Sequence, residues 1–345
     1  MINFVTGNLL ESTAECLVNT VNCEGYMGKG IAYQFKLKFP NNNRDYVKVC
    51  KSGQLTVGKL HYFKEDNKII INFPTKDKWR EKSKIEYIIQ GMDELVKLLP
   101  KLNVKSIAIP PLGCGNGGLE WNEVKYLLCN KLNTIVNQYE IFIYEPSKGY
   151  SVVPKEQPKL NVSSLALMNM KLNLKKFNSL RLQKAAYFTN IFLGESYFKF
   201  TKHKYGPYDN SIPIISKEIK AFQVYYGTKD TKEAYEIAYR IIISEQTKNK
   251  LFYLKPAIEK ACNYVNEVRN DKDLECIATI TFLIENNNIV CEEDIINSFK
   301  SWSKDKADRF SEDDIKYGLT YLMRTNIIVK NLVSYEINKR QYLEQ

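Results

Sequence analysis

Between the β-branched run Ser106–Ile109 and the amphipathic stretch Trp121–Val136 lies PPLGCGNGGLEW, Pro110–Trp121, with glycines at 113, 115, 117 and 118. A glycine run of this density loses much backbone entropy on folding. A simple strand-to-helix turn does not need it. A backbone that must approach a ligand closely does, and anions are the ligands favoured at a helix N-terminus. The loop is not a P-loop, because no Gly-Lys-Ser/Thr follows.

The same strand, loop and helix alternation runs through residues 1–145. Ile2–Thr6, Cys16–Thr20, Lys68–Phe73 and Tyr139–Tyr144 join Ser106–Ile109 as short strands. Ile31–Phe39, Ile85–Leu99 and Trp121–Val136 carry apolar residues at helical spacing. Such alternation predicts an α/β unit, a mostly parallel mixed sheet flanked by helices. Ser147–Pro158 breaks the pattern with two prolines and a glycine and reads as a connection. Beyond it the chain is rich in Leu, Lys, Tyr and Glu. Thr231–Ser244, Pro256–Arg269, Asp273–Glu285, Glu292–Trp302 and Asp313–Arg324 read as amphipathic helices. The expected division is an α/β domain at 1–150, a linker at 151–160 and a mainly α-helical domain at 161–345, which suits a chain of 345 residues.

The net charge is +11, with 20 basic against 15 acidic residues in 1–150 and 30 against 24 in the remainder. The excess is therefore spread over both halves and favours polyanionic partners in general. The eight cysteines form no CxxC, and His61 and His203 are the only histidines, so no metal site or metal cofactor is expected. Scattered cysteines and no leader-like N-terminus point to a reducing cytoplasm. No apolar run approaches the ~20 residues of a membrane helix.

Two further loops invite chemistry. Gly7 and Asn8, followed by Leu9, stand at the end of the first strand, where ligands of open α/β sheets bind. NTVNCEGYMGKGIA, Asn19–Ala32, places Gly25, Gly28 and Gly30 just before a helix starting near Ile31. Its backbone amides and Lys29 suit a diphosphate, and Asn22 can both donate to and accept from a sugar hydroxyl.

Taken together, Gly7–Asn8, NTVNCEGYMGKGIA and PPLGCGNGGLEW resemble the macrodomain fold, and more narrowly the macrodomain of DarG-type antitoxins and the related terminal ADP-ribose glycohydrolase. The resemblance covers residues 1–145. It implies that ADP-ribose is bound by Gly7, Asn8, Leu9, Asn22, Gly28, Lys29, Gly30 and Ile31 on one side. On the other side the implied contacts are Pro111, Gly113, Cys114, Gly115, Asn116, Gly117, Gly118 and Leu119. The two glycine-rich loops would embrace the diphosphate, with Asn22 facing the distal ribose. DarG-type enzymes hydrolyse ADP-ribose from thymidine bases of single-stranded DNA, reversing a DarT-type toxin. The family's lysine in an FPTK-like segment matches Lys76 in NFPTKDKWR, Asn72–Arg80, the implied catalytic residue. A lysine freed of its proton in a cleft can attack the anomeric carbon or its opened aldehyde form.

Two positions depart from the pattern. Asn8 stands where most macrodomains have an aspartate for the adenine amino group. Gly117 stands where terminal ADP-ribose glycohydrolase has an acidic residue, which leaves Asp77 or Glu120 as substitutes. In the second half, RLQKAAYFTNIF (Arg181–Phe192) and KHKYGPYDNSI (Lys202–Ile212) resemble SocA-like, or Panacea, antitoxins through Leu182, Gln183, Lys184, Tyr187, Phe188 and Tyr205–Tyr208. That resemblance implies a toxin-binding domain, with His203 read as structural. The expected function is an antitoxin glycohydrolase with ADP-ribosylated single-stranded DNA and a DarT-type toxin as partners, no membrane and no cofactor. The alternatives are a glycohydrolase acting on ADP-ribosylated protein glutamate, or a non-catalytic ADP-ribose reader that sequesters the toxin.

Overall fold

The computed structural model describes residues 1–147 and 152–338. The chain divides into two compact units, Met1–Gln157 and Pro158–Gln345. The 150/151 boundary expected from the sequence lies outside the described residues. The segment expected as a linker is anchored at its described end. The Lys155 amide donates to the Leu37 carbonyl at 2.9 Å, Lys155 Nζ pairs with Asp66 at 2.6 Å, and Arg44 pairs with Glu156 at 3.0 Å. Leu160, read as linker, is buried in the second unit's core.

In the first unit the elements run β1 (Ile2–Val5), β2 (Cys16–Val21), α1 (Gly30–Lys38), α2 (Pro40–Lys51), β3 (His61–Glu65), β4 (Lys68–Pro74), α3 (Ile85–Leu98), β5 (Ser106–Ile109), α4 (Trp121–Leu132) and β6 (Glu140–Tyr144). The sheet order is β1-β6-β5-β2-β4-β3. All neighbours are parallel except β3 and β4, which are antiparallel.

Burial explains the sequence pattern. Along β2 the side chains alternate, with Cys16 and Val18 packing toward the cluster of α3 and α4 while Leu17 packs with Phe35 of α1. Along β4, Ile71 and Phe73 face the first cluster and Ile70 the second. A strand covered on both faces needs a continuous apolar run, and KIIINF is one. Two elements escaped the sequence reading. Helix α2 starts at Pro40 directly after α1, and its NNNRDY opening shows little apolar periodicity. Strand β3 is an edge strand with a half-polar pattern, joined to β4 through Asp66 and Asn67, both at positive φ (51° and 58°). Positive φ at both central residues is the twist a two-residue hairpin needs.

The second unit is helical. It runs α5 (Val162–Asn173), α6 (Ser179–Leu193), β7 (Thr201–His203), β8 (Gly206–Tyr208), α7 (Ser211–Tyr225), α8 (Thr231–Ile242), α9 (Glu245–Glu267), α10 (Asp271–Asn286), α11 (Glu292–Lys300), α12 (Lys304–Arg309), α13 (Glu312–Arg324), β9 (Ile328–Lys330) and β10 (Tyr335–Ile337). Helix α6 buries twelve of its fifteen residues, so it lies inside the bundle. Helix α9 begins at Glu245, well before the expected start at Pro256, and carries that proline in its interior. The ring removes one helical hydrogen bond, to the carbonyl of the exposed residue Phe252.

The LQK and YGPY segments meet within this unit. Gln183 Nε2 donates to the Asp209 carbonyl at 2.9 Å, and the Asp209 amide donates back to Gln183 Oε1 at 3.0 Å. Lys184 Nζ donates to the carbonyls of Tyr205 (2.6 Å) and Pro207 (2.8 Å). Tyr187 Oη donates to Glu285 at 2.8 Å, and Leu182 and Phe188 are core residues. Gln183 and Lys184 clamp helix α6 to the β7–β8 hairpin and the residue that follows it, while Tyr187 ties the helix to α10. His203 is exposed on that hairpin, stacked on Tyr208 with ring centroids 4.5 Å apart.

Candidate functional site

In a parallel sheet all strands present the same end on one side. The loops after β1, β2, β4 and β5 therefore gather at the carboxyl edge, the position at which open α/β sheets hold ligands. These four loops, with Gly30 and Ile31 at the start of α1, carry the ligand-binding and catalytic residues expected from the sequence of the first unit.

After β1, Gly7 has φ 137°. Asn8 caps a short 3-10 turn, its Oδ1 accepting from the Leu10 amide at 3.2 Å and its Nδ2 donating to Glu11 at 3.0 Å. Leu9 is buried beneath. The Asn8 oxygen is thus already fixed in direction, with a second lone pair available to an amino group.

After β2, Asn22 turns inward. Its Oδ1 accepts from the amides of Glu24 (2.9 Å) and Tyr26 (3.3 Å) and its Nδ2 donates to the Tyr26 carbonyl at 2.7 Å. The Tyr46 hydroxyl of α2 donates to the Asn22 carbonyl at 2.7 Å. Asn22 and the unforeseen Tyr46 therefore shape the loop that leads to Gly28, Lys29 and Gly30. Lys29 is the N-cap of α1 without a side-chain cap, and Gly30 (φ 59°) and Ile31 open the helix. The first amides of a helix have no partner inside it, so they point toward an incoming anion.

After β5, the amides of Cys114, Gly118 and Leu119 donate to Pro111, Gly115 and Gly113 respectively, which folds the loop back on itself. Among the described residues, the exposed Gly115 and Asn116 give their amides to no backbone partner. The two glycine-rich loops meet: a Cβ on Gly30 would lie 3.0 Å from Asn116 Nδ2. Gly117 admits no side chain at all, because its Cβ would fall within 3.0 Å of the Gly113 carbonyl oxygen and of Ser83 Oγ. The missing acidic residue is thus a steric consequence of this loop conformation. Each of the two substitutes considered for it stands beside a cysteine. Asp77 is close enough to Cys23 to raise its thiol pKa, and Glu120 caps α4 beside Cys114.

After β4, residues 75–84 lie between those two loops. The Cys23 amide donates to the Asp77 carbonyl at 3.0 Å, and the Ser83 amide donates to the Gly117 carbonyl at 3.0 Å. Lys76 is half-buried, and its Nζ donates to the Asn116 carbonyl at 2.7 Å. Burial, and secondarily the positive charge of Lys29, lower the Lys76 pKa below that of a free lysine. The nearby thiols go the opposite way. Burial and then Asp77 push Cys23 up to about 12, and burial and then Glu120 push Cys114 up to about 11. Burial thus works against the thiolate form of both cysteines, while it favours the free amine of Lys76.

Under the loops runs a polar chain that the sequence did not announce. Asn19 donates to Asn72 at 2.9 Å, Asn72 donates to Asn42 at 2.7 Å and contacts His61 Nδ1 at 3.0 Å, and His61 Nε2 pairs with Asp45 at 2.9 Å. Asn19 and Asn72 face each other in register across β2 and β4, three residues before Asn22 and four before Lys76. Among the described residues, no group of three or more His, Cys, Asp and Glu side chains is placed to hold a metal ion, and no helix is long and apolar enough to cross a membrane.

The Macro domain family matches residues 18–128. A Thermus aquaticus protein named DNA ADP-ribosyl glycohydrolase is 32% identical over 340 residues, covering 94% of this chain and 93% of that protein. A Mycobacterium tuberculosis protein of the same name is 36% identical over 246 residues, 66% of this chain and 70% of that one. Among solved structures, the macrodomain of Thermus aquaticus DarG is 47% identical over 42% of this chain and 99% of its own, with a TM-score of 0.41. With the site's loops in place and a relative matched along almost its whole length, this chain belongs to the DarG-type family of macrodomain glycohydrolases.

Proposed function

We propose that this protein hydrolyses ADP-ribose from thymidine in single-stranded DNA, with Lys76 as the catalytic residue, and so reverses the action of a DarT-type transferase in the cytoplasm. The observation that carries the proposal is the Lys76 amine, held 2.7 Å from the Asn116 carbonyl where the two glycine-rich loops converge. The full-length relative's name states the matching activity.

The geometry supports the following course. The α1 amides, Lys29 and the Gly115–Asn116 amides hold the diphosphate, which fixes the distal ribose beside Lys76. Lys76 loses its proton more readily than a free lysine and attacks C1″ of that ribose. The bond from C1″ to the base nitrogen breaks, its electron pair leaves with the base, and the base takes up the proton given up by the amine. Water then attacks C1″, the bond from C1″ to Nζ breaks with its electron pair returning to the amine, Lys76 takes up the proton given up by the water, and ADP-ribose departs. Over the cycle one water is consumed and no other reactant is needed.

The test is an oligonucleotide carrying ADP-ribosyl-thymidine, incubated with the native protein and with Lys76→Ala. Release by the native protein only is the expected result. Release by both would remove Lys76 from the chemistry, and release by neither would favour a reader of ADP-ribose. Cleavage of ADP-ribosylated glutamate in preference to DNA would favour the protein-directed alternative.

The second unit is proposed to bind the toxin. A Thermosipho africanus relative is named as a fusion of DNA ADP-ribosyl transferase and DNA ADP-ribosyl glycohydrolase, which places both activities in one chain there. Retention of a DarT-type toxin by the full chain, lost when residues 158–345 are deleted, is the expected result.

A further inference from the structure

Two exposed aromatic side chains stand on the neighbouring loops that carry Asn22 and Lys76, and the chemistry described so far uses neither. Tyr26 stands in the loop after β2 and is 60% exposed, and Trp79 stands three residues beyond Lys76 and is 45% exposed. Single exposed aromatics are common on this chain, so it is the pairing and the anchoring of these two that carry the argument. Their placement is built rather than incidental. The Trp79 amide donates to Glu24 Oε2 at 2.8 Å, and Tyr26 is bonded through both its amide and its carbonyl to Asn22. The ring centroids lie 6.2 Å apart at 58°, so the rings form an open wedge instead of stacking on each other.

Charge surrounds this wedge. The Arg80 guanidinium lies 4.6 Å from the centroid of the Trp79 ring. Between Lys76 and Lys84 there are five basic residues and two acidic ones. Lys78, Arg80, Lys82 and Lys84 are exposed. Aromatic faces interleaved with cations are what single-stranded nucleic acid requires. Bases stack on the rings, and phosphates pair with the cations. The adenine and diphosphate of an ADP-ribosylated nucleoside are taken by the glycine-rich loops, which leaves no neighbouring nucleotide for this surface, whereas a strand supplies one.

We propose that Trp79, Tyr26 and Arg80 form a stacking platform for a nucleotide flanking the modified thymidine, so that the protein recognises the strand and not the modified nucleoside alone. The proposal rests on the reading of the Lys76 cleft as DNA-directed. Trp79 and Tyr26 are specificity residues here and take no part in bond breaking.

The experiment uses the full chain in two arms, with Trp79→Ala, Tyr26→Ala and the conservative Trp79→Phe. The first arm measures fluorescence anisotropy of a labelled, unmodified single-stranded oligonucleotide. The second compares kcat/KM on an ADP-ribosylated oligonucleotide with kcat/KM on ADP-ribosyl-thymidine nucleoside. Trp79→Ala is expected to weaken oligonucleotide binding about tenfold, a typical cost of losing one base–aromatic stack. The oligonucleotide-to-nucleoside ratio of kcat/KM should fall by a similar factor, and Trp79→Phe should restore most of both. An unchanged ratio together with unchanged binding overturns the platform, as does an equal loss on both substrates. Should the native protein cleave neither substrate, the hydrolase reading fails on its own, and the anisotropy arm alone decides the platform: Trp79-dependent binding upholds it and Trp79-independent binding overturns it.

Discussion

The substitution Gly117→Ala tests how far the second loop depends on one missing side chain. The added Cβ would fall within 3.0 Å of both the Gly113 carbonyl oxygen and Ser83 Oγ, against at least 3.4 Å in ordinary contact. Ser83 Oγ could swing away. The Gly113 carbonyl is tied to the Leu119 amide at 3.1 Å, so the turn from Gly113 to Gly118 has to move as a body. Overpacking of this kind costs about 1–3 kcal/mol. In a unit of this size that lowers the melting temperature by roughly 2–4 °C per kcal/mol. The functional cost is larger, because the moving turn carries the Asn116 carbonyl that receives Lys76 at 2.7 Å. A displacement of about 1 Å at such a contact is worth about 100-fold in rate. The assay pairs thermal melting with single-turnover release of ADP-ribose from a modified oligonucleotide. Gly115→Ala serves as the stability control, since a Cβ there meets nothing within 4 Å. A Gly117→Ala protein that melts and turns over as the native one does would show that the loop relaxes freely, and the steric account of the missing carboxylate would be wrong.

Lys76→Ala should remove the covalent route and bring turnover to background, while isothermal titration still detects ADP-ribose binding. Lys76→Arg should fail to rescue turnover, because a guanidinium keeps its proton. Since Lys76 reacts as the free amine, kcat/KM should rise with pH across its titration, with a midpoint below that of an ordinary lysine. Removing a cation that lowers this pKa moves the midpoint up, so Lys29→Gln should shift the limb of the pH profile to higher pH; a shift downward would refute the assignment. In the second unit, burial and then the charge of Lys306 lower Lys184 from 10.5 to about 7, so between those values the unfolded chain binds more protons than the folded one. Stability should therefore rise with pH across that window, and denaturant titrations at pH 7 and pH 9 should show the slope flattened in Lys184→Met.

Much of the first unit was legible in the sequence because its signals are local. A strand buried on both faces has to be apolar throughout, and KIIINF announced β4 without any knowledge of its neighbours. The break at Pro110 fixed the end of β5, and the glycine run fixed the start of a ligand loop. The edge strand β3 and helix α2 were missed because their stability comes from partners. The carboxylate of Glu65, at the end of β3, accepts from the Asn42 amide at 2.8 Å and so caps the opening of α2.

The site divides along the same line. Residue types and spacing by themselves determined which loops could hold a diphosphate, while ADP-ribose as the ligand and Lys76 as the lysine to watch came from the resemblance to DarG-type macrodomains. Only the tertiary structure brought the loop after β4 between the other two, set Lys76 against Asn116, spent Asn22 on its own loop, and closed position 117 to any side chain. It also explained LQK and YGPY as two halves of one clamp, with Lys184 bridging carbonyls 21 and 23 residues away. The physical reason is range. Propensity, periodicity and turn chemistry act over a few residues, whereas a pKa, a steric exclusion or a stacking wedge is a property of atoms that become neighbours only when parallel strands bring distant loops to one edge.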